Sequence, residues 1–207
     1  MAHLVITIGC EYGAKGNQIG KKVAEDLGIK FYDRETVDEI IKEVGIPKDI
    51  MEKVEEGVTI AGKGAEGDVR GSFSKYADLT ERAIHVQKTI IRKLSDRESC
   101  VIIGRCADYI LKDRENVMSV FVYASPAYCL QQAKLRGANG GRTTMKYVDE
   151  INKYRADYTK YYTGHDWNDV RNYDLCINSG KLGFEGTEQA IKDYIRVRFP
   201  DYENPNL

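Results

Sequence analysis

The chain has 207 residues, enough for one domain of ordinary size with a single hydrophobic core. Apolar residues make up 42% and charged residues 30%, a globular composition that argues against disorder. The formal net charge of −1 gives no bulk attraction to nucleic acid or an anionic membrane, and no apolar run approaches the ~20 residues of a membrane span.

The N-terminus, MAHLVITIG, lacks a basic region and carries too short an apolar stretch for a signal peptide. It is expected to be the first strand of a cytoplasmic protein. Cys10, Cys100, Cys106, Cys129 and Cys176 form no C-x-x-C pair and sit mostly in apolar segments, as reduced thiols do. His3, His85 and His165 are far apart and have no ligand at metal spacing, so no zinc site is expected.

Leu4–Ile8 is a short apolar run ended by Gly9, as suits a strand buried on both faces. Ile19, Val23 and Leu27 then recur at helical spacing, with Gly28 placed to end the helix. Ile29–Tyr32 is a second strand. Asp33 can cap a helix carrying Val37, Ile40, Ile41 and Val44, which Pro47 closes. Residues 57–75 mix Gly57, Gly62, Gly64, Gly67 and Gly71 with charges and predict a mobile loop or small excursion. Ala83, Val86, Ile90, Ile91 and Leu94 mark the next helix. Cys100–Ile103 is a strand ending at Gly104-Arg105, and a short helix over Ala107–Leu111 follows. Val117–Tyr123 is another apolar strand, after which Ser125-Pro126 starts a helix. GANGGR, residues 137–142, is a flexible break before a tyrosine-rich helix from about Thr144 to Tyr162. Tyr173–Ile177 is the last strand, and Ile191, Ile195 and Phe199 line a closing helix. This alternation predicts an α/β domain: a parallel sheet of about five strands with helices on both faces.

Residues 9–17, GCEYGAKGN, join the first strand to the first helix. A phosphate-binding loop reads G-x-x-x-x-G-K-[ST] at such a place. Gly9 and Lys15 stand where that motif needs them, while Ala14 replaces the second glycine and Gly16 the hydroxyl. A strand, a Gly-rich turn and a helix gather backbone N–H groups and the helix N-terminus around one point, which favours anions. Gly13 and Gly16 suit that design, and Lys15 supplies charge for the β- and γ-phosphates. The alternative is a plain strand-to-helix turn with a surface lysine. If Ala14 held a positive φ it would cost about 1 kcal/mol. Asn17 stands where a magnesium-holding hydroxyl would be if the loop reads G-K-G-T, and its oxygen is the nearest substitute.

With GCEYGAKGN, FYDRE, IIGRCADYIL and YYTG-x-x-W-x-D-x-x-NYDLCINS in this order, the chain resembles the cytidylate-kinase-like family, relatives of the bacterial cytidylate kinases among the P-loop nucleoside monophosphate kinases. The resemblance spans roughly residues 3 to 198. It implies a three-layer P-loop kinase sandwich over residues 1–207, with an acceptor-binding excursion at 45–80 and a lid at 136–160. It also implies a transferase that uses ATP and Mg²⁺ and moves the γ-phosphoryl group to a nucleoside monophosphate, CMP or dCMP by default. Small-molecule nucleotides are then its partners, rather than nucleic acid or membrane. Nucleotide binding falls to Gly9, Gly13, Ala14, Lys15, Gly16 and Asn17, with Mg²⁺ carried by ATP rather than by a dedicated set of protein ligands.

Carried over residue by residue, Asp33 matches an aspartate near the acceptor, although it is equally placed to cap a helix. Arg105 matches the arginine that holds the acceptor phosphate, which its guanidinium fork suits; the alternative is a structural ion pair. Cytidylate kinases commonly read D-G-R-D here, whereas this chain has Ile103 and Cys106 in place of the acidic flanks. Asp108 is the nearby substitute for reading a base. The family's D-K-x-R-A pattern appears as Asn152-Lys153-Tyr154-Arg155-Ala156, so Lys153 and Arg155 are the lid's catalytic candidates. The alternative for both is a solvated basic helix face. The tyrosines at 147, 154, 158, 161 and 162 fall close to helical spacing and suit packing better than base stacking. Two alternatives to a nucleoside monophosphate kinase remain: a nucleotide-binding sensor without turnover, and a kinase of a non-nucleotide small acceptor.

Overall fold

A computed structural model describes residues 3–43, 70–204 and 206–207. The apolar runs form strands β1 (Val5–Cys10), β2 (Lys30–Tyr32), β3 (Cys100–Ile103), β4 (Val117–Tyr123) and β5 (Leu175–Asn178). They make one sheet in the order β2-β3-β1-β4-β5, and every pairing is parallel. β1 lies at the centre, with Ile8 level with Ile103 on one side and Val120 on the other. The described helices are α1 (Gly16–Leu27), α2 (Arg34–Glu43), α3 (Arg70–Arg97), α4 (Ala107–Ile110), α5 (Pro126–Leu135), α6 (Met145–Thr163) and α7 (Ser179–Arg198).

Successive side chains of a strand point to opposite faces, and this sorts the core into two layers. Leu4, Ile6, Ile8, Val101, Met118 and Val120 pack on one face, against Ile19 and Val23 of α1, Ala133 of α5 and Ile191 of α7. Val5, Cys100 and Ile102 pack on the other, against Val37 of α2 and Ile90, Ile91 and Leu94 of α3. The fold is therefore the expected three-layer α/β sandwich. Both faces of β1 and β3 are covered, which is why their sequences are apolar without alternation.

The connections from β1 lead toward β2 and β3 on one side and from β3 back across to β4 on the other. The sheet thus changes winding direction at β1, and the loops after β1 and β3 open at the same strand ends. In parallel sheets that crevice is where ligands bind.

Several boundaries differ from the sequence expectation, β1 among them, which runs through Gly9 to Cys10. Helix α3 begins at Arg70, well ahead of Ala83, so residues 70–75 are helix rather than loop. Gly71 is the last glycine there, and no glycine or proline follows to interrupt the helix before Arg97. Residues 57–69 of the Gly-rich segment, Pro47 and most of the 45–80 excursion lie outside the described residues. The break at 137–142 holds a short 3₁₀ turn over Ala138–Gly141. β5 starts at Leu175, because the two residues before it serve other partners: Asp174 bonds Ser119, and Tyr173 turns its hydroxyl toward Trp167. Among the described residues no helix is long and apolar enough to cross a membrane.

Candidate active site

The loop from Glu11 to Lys15 is built by the ends of β1 and β4. The Glu11 N–H donates to the Val122 carbonyl at 3.0 Å, and the Glu11 carboxylate accepts from the Ala124 N–H at 3.1 Å. The Ala14 N–H closes a turn onto the Glu11 carbonyl, and the Ser179 hydroxyl donates to the Ala14 carbonyl at 2.8 Å. Two glycines have steric reasons to be there. Gly13 holds φ 91° with its α-carbon against the Cys129 backbone, and a side chain at Gly16 would collide with Cys10. Ala14 is fully buried and does not hold a positive φ; Lys15 does, at 65°. The positive φ considered for position 14 thus falls at Lys15, the residue before α1, and Gly13 holds one as well.

The second loop follows β3. Gly104, Arg105 and Cys106 hold φ of 66°, 56° and 53°, three left-handed residues in succession. Their turn points the Arg105 side chain inward, where only 4% of it is exposed. Its guanidinium donates to both carboxylate oxygens of Asp38 from α2, and to the Tyr158 hydroxyl at 3.4 Å. The ion-pair alternative for Arg105 is therefore real in this structure, and Arg105 also lines a cavity.

That cavity, of about 190 Å³, opens at the strand ends between the two loops. Gly9, Cys10 and Asn17 line it from the phosphate loop, Gly104, Arg105 and Asp108 from the second loop, and Tyr154, Arg155 and Tyr158 from α6. Trp167 and Tyr173 close the far wall, and the Tyr173 hydroxyl donates to the Trp167 carbonyl at 2.7 Å. Both rings pack on Phe121, at 5.2 and 4.9 Å between centroids. The motif around YYTG-x-x-W-x-D-x-x-NYD thus builds a wall of the cavity.

Other expected residues fall in different places. Asp33 fills the helix-cap alternative: its carboxylate accepts from the Thr36 N–H at 2.9 Å and hydroxyl at 2.8 Å. It is absent from the residues lining the cavity, whereas its neighbour Arg34 is among them. Asp108 sits on the cavity wall. Burial pushes its carboxyl above the ordinary carboxylate range, opposed by the amides of Asp108 and Tyr109 and the charge of His165. Burial likewise pushes the Cys106 thiol up to about 12, so it stays a neutral thiol near pH 7. Helix α6 lies against the phosphate loop. The Tyr12 N–H donates to the Asn152 side-chain oxygen at 2.7 Å, and Arg155 donates to the Cys10 carbonyl at 2.5 Å. The Arg155 guanidinium also lies over the Tyr12 ring, 5.6 Å from its centroid. Lys153 points outward and pairs with Asp157 at 2.7 Å. Tyr158 stacks on Tyr162 at 4.2 Å and packs against Cys106, which is the packing role expected of this tyrosine row.

The donor set suits a nucleotide with its magnesium. The loop offers main-chain N–H groups at the start of α1, the Lys15 ammonium, which lies 6.0 Å from the Tyr128 ring centroid and is absent from the residues lining the cavity, and the Asn17 amide oxygen, a hard donor of the kind Mg²⁺ takes. Among the described residues no cluster of three His, Cys, Asp or Glu side chains is placed to hold a metal by itself. The sequence reading missed Asp38 and Gln87. Asp38 gave no signal beyond its helical spacing from Arg34. Gln87 did: it falls on the same apolar stripe as Ala83 and Ile91, where a polar residue stands out.

Several known proteins are similar to this chain. The chain is 23% identical over 199 residues to a cytidylate kinase of Archaeoglobus fulgidus, covering 93% of this chain and 95% of that protein. It is 27% identical over 194 residues to a cytidylate kinase of Pyrococcus horikoshii, covering 91% and 86%. Among solved structures, an uncharacterized protein from Eubacterium ventriosum superposes with a TM-score of 0.69 at 27% identity, covering 93% and 98%. A shikimate kinase from Acinetobacter baumannii shares the fold at a TM-score of 0.52 and 14% identity, covering 95% of each chain. The model of the cytidylate kinase-like family matches residues 5–181, from β1 through the start of α7 and so across both loops and the cavity wall, and the chain belongs to that family.

Proposed function

We propose that this chain is an ATP-dependent phosphotransferase that moves the γ-phosphoryl group to a nucleoside monophosphate, with CMP or dCMP the default acceptor. The observation that carries this reading is the cavity that has the phosphate loop on one side and the buried Arg105 on the other.

Phosphoryl transfer needs alignment and positive charge more than covalent chemistry. An acceptor-phosphate oxygen bonds to the γ-phosphorus while the bond to the β–γ bridging oxygen breaks and ADP leaves. Lys15 and the loop N–H groups hold the ATP phosphates. Arg105 orients the acceptor phosphate from a guanidinium already fixed by Asp38 and Tyr158. Arg155, at the phosphate loop, balances charge that spreads over the transferring group. Lys153 joins it as a lid charge once it leaves Asp157. Mg²⁺ bound with ATP supplies charge neutralisation at the β- and γ-oxygens, and Asn17 is the loop side chain that would hold it. Asp108 is the acidic group placed to read the base. The aromatic wall of Trp167 and Tyr173 keeps water from the transferring group.

The test is coupled ADP release with ATP and Mg²⁺ across a panel of nucleoside monophosphates. Turnover on CMP or dCMP is expected, with kcat/KM falling by about 10²–10³ in Lys15→Ala and in Arg105→Ala. Full activity in both variants would sink the proposal. A second reading is a kinase of a non-nucleotide small acceptor, favoured by the uncharged Ile103 and Cys106 on the cavity wall. Silence across the nucleotide panel with ATP still bound would shift weight to that reading or to a sensor.

A further inference from the structure

Gln87 is 1% exposed on α3, at helical spacing from the buried Ile90 and Ile91, and it reaches the turn after β3. A buried side-chain amide is costly unless both ends are bonded. Here both are, and both bonds lead to Arg105. The amide nitrogen donates to the Arg105 main-chain carbonyl at 2.9 Å. The amide oxygen accepts from the Tyr158 hydroxyl at 3.0 Å, and that hydroxyl in turn accepts from the Arg105 guanidinium at 3.4 Å. One side chain therefore reaches the backbone of Arg105 directly and its charged end through a single hydroxyl.

The backbone it holds is strained. Arg105 and Cys106 both carry a side chain in the left-handed region, next to Gly104 in the same region. Each such non-glycine residue is strained and persists only where its surroundings over-determine it. The Gly104 N–H donating to the Ile8 carbonyl at 2.9 Å fixes the start of the turn, and Gln87 fixes its middle. Asp38 holds the guanidinium by an ion pair of its own.

We propose that Gln87 is a positioning residue for the acceptor side of the reaction, clamping the strained Arg105 turn and, through Tyr158, aiming its guanidinium into the cavity. This rests on the reading of Arg105 as the acceptor-phosphate group. A filler of the α3 stripe would affect stability alone. A positioning residue splits the kinetics, because Gln87 reaches the acceptor side and has no bond to the phosphate loop.

The experiment compares wild type with Gln87→Met, which keeps the length and apolar packing of the side chain and removes both hydrogen-bonding ends. The acceptor KM is expected to rise about tenfold or more while the KM for ATP stays within about twofold. Tyr158→Phe, which leaves the ring stack intact, is expected to give the same split. A second arm needs no turnover: the Arg105 guanidinium resonances in ¹⁵N-arginine-labelled protein, assigned by their loss in Arg105→Lys, are expected to move in Gln87→Met. Unchanged resonances, or equal changes in both KM values, would overturn the proposal. If wild type itself turns over no acceptor, the reading of Arg105 fails, and the resonance arm still decides whether Gln87 sets its guanidinium.

Discussion

Thr7 sits mid-way along β1, the central strand, and is 1% exposed. Its hydroxyl has no hydrogen-bonding partner among the described residues. A buried hydroxyl left in this state carries a desolvation cost of about 1–3 kcal/mol, which an apolar side chain of the same shape avoids. Thr7→Val should therefore stabilise the fold by about 1 kcal/mol, read as a higher urea midpoint at unchanged slope. An unchanged or lower midpoint would mean that water reaches this hydroxyl. Residue identities also show where sequence reading stops. GCEYGAKGN announced a loop between a strand and a helix, and it does join β1 to α1. The motif could not say that Lys15, and not position 14, would join Gly13 in holding a positive φ, because the backbone angle depends on how the turn bonds to β4 and Ser179. The same holds for Arg105. Its spacing after β3 was legible, while its bond to Asp38, 67 residues away, is set by how α2 packs.

Among the elements, β2 is the three-residue edge of the sheet and needs support beyond its pairing with β3. The support comes from the Tyr32 hydroxyl, which donates to the Glu98 carboxylate at 2.7 Å just beyond the end of α3. Burial, then Glu98, pushes the Tyr32 phenol up to about 12. The Tyr32 hydroxyl, with Arg97, holds the Glu98 carboxyl below the ordinary carboxylate range. The sign of each contribution follows from linkage. The Glu98 contribution is present above the ordinary glutamate value of about 4.3 and is lost as pH falls through the lower folded value. The Tyr32 contribution is present below the ordinary tyrosine value of about 10 and is lost as pH rises toward its folded value. Tyr32→Phe should thus cost about 1–2 kcal/mol near pH 7, and the gap to wild type should shrink as the solution is acidified below about pH 4. Urea unfolding of both proteins across that range measures it, and a gap independent of pH would rule out Glu98 as the partner that matters. Strand and helix order was legible because each strand buried on both faces is a short apolar run between turns. The start of α3 was not, because glycine at 62, 64, 67 and 71 masks the point at which helix-compatible sequence resumes.

For the molecule as a whole, the sheet's change of direction at β1 matters more than any single bond. The two loops that line the cavity belong to elements far apart in sequence, and α6 lies across one of them through Asn152 and Arg155. The unfolded chain has no such cavity, so a nucleotide that binds here binds only the folded protein. It must then raise stability by mass action, by about 2.7 kcal/mol when the ligand stands at a hundred times its dissociation constant. For a chain of this size that corresponds to a rise in Tm of roughly 5–10 °C. Thermal unfolding with increasing Mg²⁺–ATP should show this rise in wild type and much less of it in Lys15→Ala at the same concentrations. The lysine leads its helix in a strained left-handed conformation. Alanine there loses the charge without relieving that strain, so the unliganded variant should melt close to wild type. An equal ligand-induced shift in both proteins would place the nucleotide's phosphates away from this loop, and with them the whole assignment of the cavity.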